Sequence, residues 1–134
     1  MAETSSRTVV GRVGRVAVPV TDQDRAIEFY TQKLGFRLDV DIPMTETYRW
    51  VEVSPPGGGA ALAIVPPPEG KPTGVDTNVM LTTSDADDAH AQLRDRGVDV
   101  DEEVSRMGDP VPPMFWFRDQ DGNTLVLVET PDEQ

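Results

Sequence analysis

The chain has 134 residues, with 24 Asp plus Glu against 12 Lys plus Arg, one His and no Cys, so its formal charge is −12. A chain of this length makes one domain whose core buries roughly two-thirds of the surface the unfolded chain exposes, with no need of disulfides or a structural metal. The lack of Cys removes disulfide frameworks, Cys-ligated zinc and thiol nucleophiles, and the charge disfavours nucleic acid and anionic membranes while aiding solubility and leaving cationic ligands open.

The N-terminal MAETSSRTVV carries Glu3 and hydroxyl residues where a secretory peptide has a basic start and an apolar stretch. The longest apolar run, Ala60 to Val65, is far too short to span a bilayer. A cytoplasmic protein is expected, with residues 1 to about 8 as a loose tail.

Residues 13 to 20 alternate Val13, Val16, Val18 and Val20 with other residues, the pattern of a half-buried strand. Thr21-Asp22 supplies helix-capping oxygens, and Ala26, Ile27, Tyr30 and Leu34 follow at helical spacing up to Gly35. Strands are predicted at 36 to 41, 46 to 53 and 60 to 65, the last two joined through the turn-rich Ser54-Pro55-Pro56-Gly57-Gly58-Gly59. The Pro-rich stretch 66–75 reads as an extended linker. Beyond it come a strand at 77 to 83, a helix from about 85 to 96 stopped by Gly97, and strands near 98 to 104, 113 to 118 and 123 to 129, with Asp119-Gln120-Asp121-Gly122 as the final turn.

The second half repeats the first. R15-V-A-V-P-V-T-D-Q-D-R-A-I-E-F-Y returns as N78-V-M-L-T-T-S-D-A-D-D-A-H-A-Q-L at an offset of 63, and W50-V-E-V-S-P-P-G is matched to F115-W-F-R-D-Q-D-G at an offset of 65. The chain is therefore two copies of one βαβββ unit, about 12–65 and 76–130.

A doubled βαβββ unit with D-x-D-x-A before a helix ending L-G-F, and a final F-x-F-R-D-x-D-G-N-x-x-x-L-V-E, resembles the vicinal oxygen chelate superfamily: glyoxalase I, extradiol dioxygenases, fosfomycin-modifying thiol transferases and bleomycin-resistance proteins. The resemblance covers about residues 12 to 130. It implies an α+β fold in which the strands form a curved mixed sheet with the helices on its outer face, and it implies a homodimer. It also implies that metal-dependent members would place their ligands at Arg15, Ala61, Asn78 and Val126. Arg is a fixed cation and Ala and Val offer no lone pair, so no metal and no other cofactor is expected.

His90 lies mid-helix between Ala89 and Ala91 and reads as an imidazole packed at the helix edge rather than a ligand or base. The clusters Asp22/Asp24, Asp85/Asp87/Asp88 and Asp99/Asp101/Glu102/Glu103 fall at helix N-termini and a strand edge, where negative charge complements the dipole and blunts the edge.

Strand alternation assigns Arg15, Ala17 and Pro19, then Asn78, Met80 and Thr82, to the face away from the helices. Hairpins closing with 50 opposite 61 and 115 opposite 126 add Tyr48, Trp50, Glu52, Phe115 and Phe117. The expected ligand-binding set is thus Arg15, Tyr48, Trp50, Glu52, Asn78, Met80, Phe115 and Phe117: an aromatic cup with few polar groups, suited to a small organic ligand, flat or aromatic and neutral or cationic. Met107 to Met114 would form a rim over it. A plain hydrophobic interior or a subunit contact explains the same pattern. Three readings remain open: a metal-free binding protein, a lyase or dioxygenase of the superfamily, and an interaction module with an empty cup.

Overall fold

The structure is a computed structural model that describes residues 8–131; most of the expected N-terminal tail lies outside those residues. In chain order the elements are β1 (Arg15–Pro19), α1 (Gln23–Glu28) continuing into a π-helical turn (Phe29–Lys33), β2 (Arg37–Pro43), β3 (Arg49–Ser54), β4 (Ala61–Val65), β5 (Asp76–Thr83), α2 (Ala86–Asp95), β6 (Asp99–Val100), β7 (Met114–Arg118) and β8 (Thr124–Glu129). The α+β pair of βαβββ modules read from the repeat is present. Its strands make two four-stranded sheets, ordered β1-β4-β3-β2 and β5-β8-β7-β6, rather than one hydrogen-bonded sheet of eight.

Each helix begins as its sequence dictates. Asp22 and Asp85 hold extended backbone conformations, and their carboxylates accept hydrogen bonds from Arg25 N and Asp88 N, which satisfies amide donors left unpaired in a first helical turn. The first helix differs at its end. Between its capping Asp and its closing Gly it holds one residue more than the second, Asp22 to Gly35 against Asp85 to Gly97. The surplus is taken up by the π-helical turn, where Leu34 N donates to Phe29 O; a π-turn is how a helix absorbs a single inserted residue.

In both sheets the first strand lies parallel to the last, β1 on β4 and β5 on β8, and the other strands pair antiparallel. Alternation then sorts side chains by face. Val18, Val20, Val51, Val53, Leu62 and Ile64 from the first module join Leu93, Val98, Phe115, Phe117 and Leu125 from the second in one contiguous core. Each sheet therefore has a helix-covered face in this shared core and an open face on its far side.

The modules are tied by polar contacts at the turn from β7 to β8. Tyr30 Oη donates to Asp119 Oδ2 at 2.8 Å, Thr21 N and Oγ1 donate to Asp121 at 2.5 and 3.0 Å, and Asn123 Nδ2 donates to Pro19 O at 2.8 Å. Burial, and then the neighbouring Asp119, push the Tyr30 phenol above its usual range, so it remains a donor.

His90 and the acidic clusters take structural places. His90 is buried with Nε2 2.6 Å from Asp101 O and its ring edge-on to Phe115. Asp24 and Asp41 pair with Arg49, Asp99 and Asp101 with Arg118, and Asp87 with Arg106. These pairs pin strand edges and loops at the surface, where each is worth little in stability. The described residues contain no helix long and apolar enough to cross a membrane.

Candidate functional site

The open face of the first sheet carries a polar cluster set in an apolar surround. β1 places Arg15 beside Ala61 of β4, and β3 places Glu52 beside Ala63 of the same strand. Two small alanines thus separate the long side chains of the flanking strands. Across that gap Arg15 Nε meets Glu52 Oε2 at 2.5 Å, and Trp50 Nε1 donates to the same oxygen at 2.6 Å. Glu52 is buried although Arg15 is exposed and Trp50 half-buried. The indole N–H of Trp50 holds the Glu52 carboxyl below its usual range; burial opposes this, and Arg15 reinforces it. The result is an ionised, neutralised carboxylate that fixes the tilt of the Trp50 ring.

Tyr48, half-buried, precedes β3 in alternation with Trp50. On the second sheet, Asn78 and Met80 lie on the exposed side of β5. The strand bulges between Asp76 and Met80, and Asn78 takes a left-handed conformation with φ of 59°, its N–H donating to Asp76 Oδ1. Asn tolerates that conformation better than most residues.

Phe115 and Phe117 are not on the open face. Both are fully buried in the shared core, and Trp116 between them takes the open side at 36 % exposure. The cause is register. β7 pairs with β8 so that Phe115 opposes Leu127 and Trp116 opposes Val126, one residue from the expected match of 115 with 126, and a one-residue slip exchanges the two faces of a strand. In the first hairpin Glu52 opposes Ala63, which puts Trp50 across from Val65 and not Ala61. That shift is even, so Trp50 and Glu52 keep their face. The informative signal was Arg118: at an alternate position to Phe117, it marks the side of β7 that Trp116 shares.

The structure therefore brings Arg15, Trp50 and Glu52 together and sets Asn78, Met80 and Trp116 on the other open face. No hydrogen bond among the described residues joins these two groups. Arg15 is committed to Glu52, Ala61 and Val126 have no donor atom, and Asn78 offers one amide oxygen, so the four family ligand positions do not fit a divalent cation. Among the described residues no three His, Cys, Asp or Glu side chains cluster as a metal site elsewhere.

Comparison with known proteins agrees with this architecture. The model of the Glyoxalase/Bleomycin resistance protein/Dioxygenase superfamily matches residues 12–127. The chain is 31 % identical over 127 residues to the uncharacterized protein YetH of Bacillus subtilis, covering 90 % of this chain and 100 % of that one. It resembles the crystal structure of TnmS3, an antibiotic binding protein from Streptomyces sp. CB03234, with 33 % identity and a TM-score of 0.78 over 92 % of this chain and 98 % of that one. A superfamily member from Sphaerobacter thermophilus superimposes with a TM-score of 0.84 at 32 % identity, over 92 % of this chain and 100 % of that one. With a family match across nearly all of both modules and the same doubled βαβββ architecture, this chain belongs to the glyoxalase/bleomycin resistance protein/dioxygenase superfamily.

Proposed function

We propose that this protein binds a small, largely aromatic organic molecule on its open faces and catalyses no reaction on it. The observation that carries the reading is the Arg15–Glu52–Trp50 cluster. A carboxylate that already accepts from a guanidinium and an indole, with its pKa lowered, is a poor proton acceptor. It is well suited to hold an aromatic ring rigid, and a ring locked before binding stacks at little entropic cost. Since Arg15 neutralises Glu52, the face favours a neutral, planar ligand, and the overall charge of −12 raises the local concentration of a cationic one. The family likeness to an antibiotic binding protein supports an antibiotic-like ligand.

The active species in this reading is a metal-free cytoplasmic homodimer. Trp50 with Tyr48 on one sheet and Trp116 with Met80 on the other are half-sites, and pairing the first open face of one copy with the second open face of its partner encloses a ligand between them. Met80 is 64 % exposed in the single chain, and burial against a partner or ligand removes that apolar surface from water.

Trp50 and Trp116 are the only two tryptophans, one on each open face. Fluorescence titration with planar polycyclic and basic glycopeptide antibiotics is expected to show saturable quenching, reduced in Trp50→Phe and in Trp116→Phe. Sedimentation is expected to give twice the chain mass. Identical titrations in wild type and both variants would remove the open faces as the binding site.

A further inference from the structure

The two modules meet at two pseudo-equivalent joints of a hairpin turn on a strand–helix corner, and among the described residues only one of the two turns is hydrogen-bonded across to the other module. At the first, the turn Asp119 to Asn123 is hydrogen-bonded to Pro19, Thr21 and Tyr30 of the other module. The partner joint brings the turn Pro55 to Ala60 toward the β5–α2 corner. The turn's acceptors and donors and the Tyr30 hydroxyl have no counterpart there, and of the side chains in the first joint only the Thr21 hydroxyl is kept, as Ser84. The turn reads Pro55-Pro56-Gly57-Gly58-Gly59-Ala60, one residue longer and without a single side-chain donor or acceptor. At the repeat offset of 63, Thr82 stands for Pro19, Ser84 for Thr21 and Leu93 for Tyr30.

Where the first joint has a hydrogen-bonded network, the second has a cavity of about 570 Å³. That volume lies within the range of small-molecule pockets, about 300–1,000 Å³. Its floor is apolar, from Leu34, Phe36, Leu81, Leu93, Phe117 and Leu127. Its polar groups are unequally distributed. Near the start of α2 stands Asp88, which accepts from Gln92 Nε2. Eight residues on, about 12 Å along a helix rising 1.5 Å per residue, Arg96 lines the other end. Its Nη1 donates to Lys33 O at 2.8 Å and its Nη2 to Gln92 Oε1 at 3.0 Å, so the guanidinium is held by neutral acceptors. Among the described residues Arg96 has no carboxylate within ion-pair distance. A guanidinium held only by neutral acceptors keeps its charge for an incoming anion.

We propose that this open joint is a second binding site, taking a small apolar acid whose hydrocarbon part covers the Phe36–Leu93 floor and whose carboxylate meets Arg96. The site is separate from the open faces. Its occupant does for the second joint what Asp119 and Asn123 do for the first, bridging the modules and filling the space between the turn and α2.

Amide and indole NMR spectra of the isotope-labelled full chain, titrated with naphthylacetate, test this. Saturable shifts are expected at Gly57, Gly58, Ser84, Ala89 and Gln92, with the Trp50 and Trp116 indole signals unmoved. The neutral naphthylacetamide is expected to bind at least tenfold more weakly to the same protein, a comparison that needs no variant. Arg96→Gln is expected to weaken the acid about tenfold and leave the amide unchanged, and Ala89→Phe, which fills the cavity, to abolish both. Shifts confined to the tryptophan indoles, equal affinity for acid and amide, or the absence of saturable shifts would overturn the proposal.

Discussion

Lys33 and Arg96 hydrogen-bond to each other's backbone: Lys33 Nζ donates to Arg96 O and Arg96 Nη1 donates to Lys33 O. The two residues are 63 positions apart, the offset that relates the halves of the chain. A reciprocal contact between equivalent residues arises only where a twofold axis passes between them, so this pair marks the pseudo-twofold axis of the molecule. Each basic side chain also satisfies a carbonyl at the end of the opposite helix, where cations are favoured. The symmetry does not extend to the turns that flank this pair. One joint beside the axis is a polar lock and the other an apolar cavity, a division of labour between duplicated halves.

Removing one bond of the lock is expected to have a modest cost. In Tyr30→Phe the Asp119 carboxylate keeps the donors Asn123 Nδ2, Asn123 N and Asp121 N, so about 1 kcal/mol is lost. Asn123→Ala, at a fully buried residue, leaves Pro19 O and Val75 N without their side-chain partners and is expected to cost about 2–4 kcal/mol. Urea unfolding followed by circular dichroism measures both.

Adjacent aromatic residues on β7 are expected to respond in opposite ways. Phe115→Ala opens a void in the core and should cost about 3–5 kcal/mol while leaving ligand affinity of the folded protein unchanged. Trp116→Ala, on the open face, should cost under about 1 kcal/mol in stability and weaken the ligand that quenches tryptophan fluorescence. Thermal unfolding and titration on the same two variants decide this.

Acid is expected to weaken the first module through Glu52. Its folded pKa is depressed, so its contribution is fully present above the unfolded value, about 4.3, and is lost as pH falls through the lower folded value. The stability difference between wild type and Glu52→Gln should therefore hold constant from pH 7 to about pH 5 and shrink below about pH 4. Melting temperatures of both proteins across that range measure it.

Metal retention follows from donor chemistry at the four family positions. After incubation with nickel, zinc, manganese or iron and dialysis, elemental analysis is expected to find well under one ion per chain. Stoichiometric retention would reassign Glu52 or Asn78 as a ligand.

The sequence by itself determined the doubled unit, the order of its strands and helices, and the Asp-capped, Gly-terminated helices, because these depend on local periodicity and on capping chemistry that a few adjacent residues settle. It also determined the face of Arg15, Trp50 and Glu52, since the error in the first hairpin's register was even and parity survived. Tertiary structure decided the rest. Phe115 and Phe117 exchanged places with Trp116 because the face of a strand depends on its partner's register, and one residue in the turn sets that parity. Structure also divided the strands into two sheets and made two unequal joints from the equivalent turns of a duplicated unit. Both outcomes depend on which groups meet from distant parts of the chain: Asp119 on Tyr30 makes a lock, whereas a Pro-Gly turn facing Leu93 leaves a cavity.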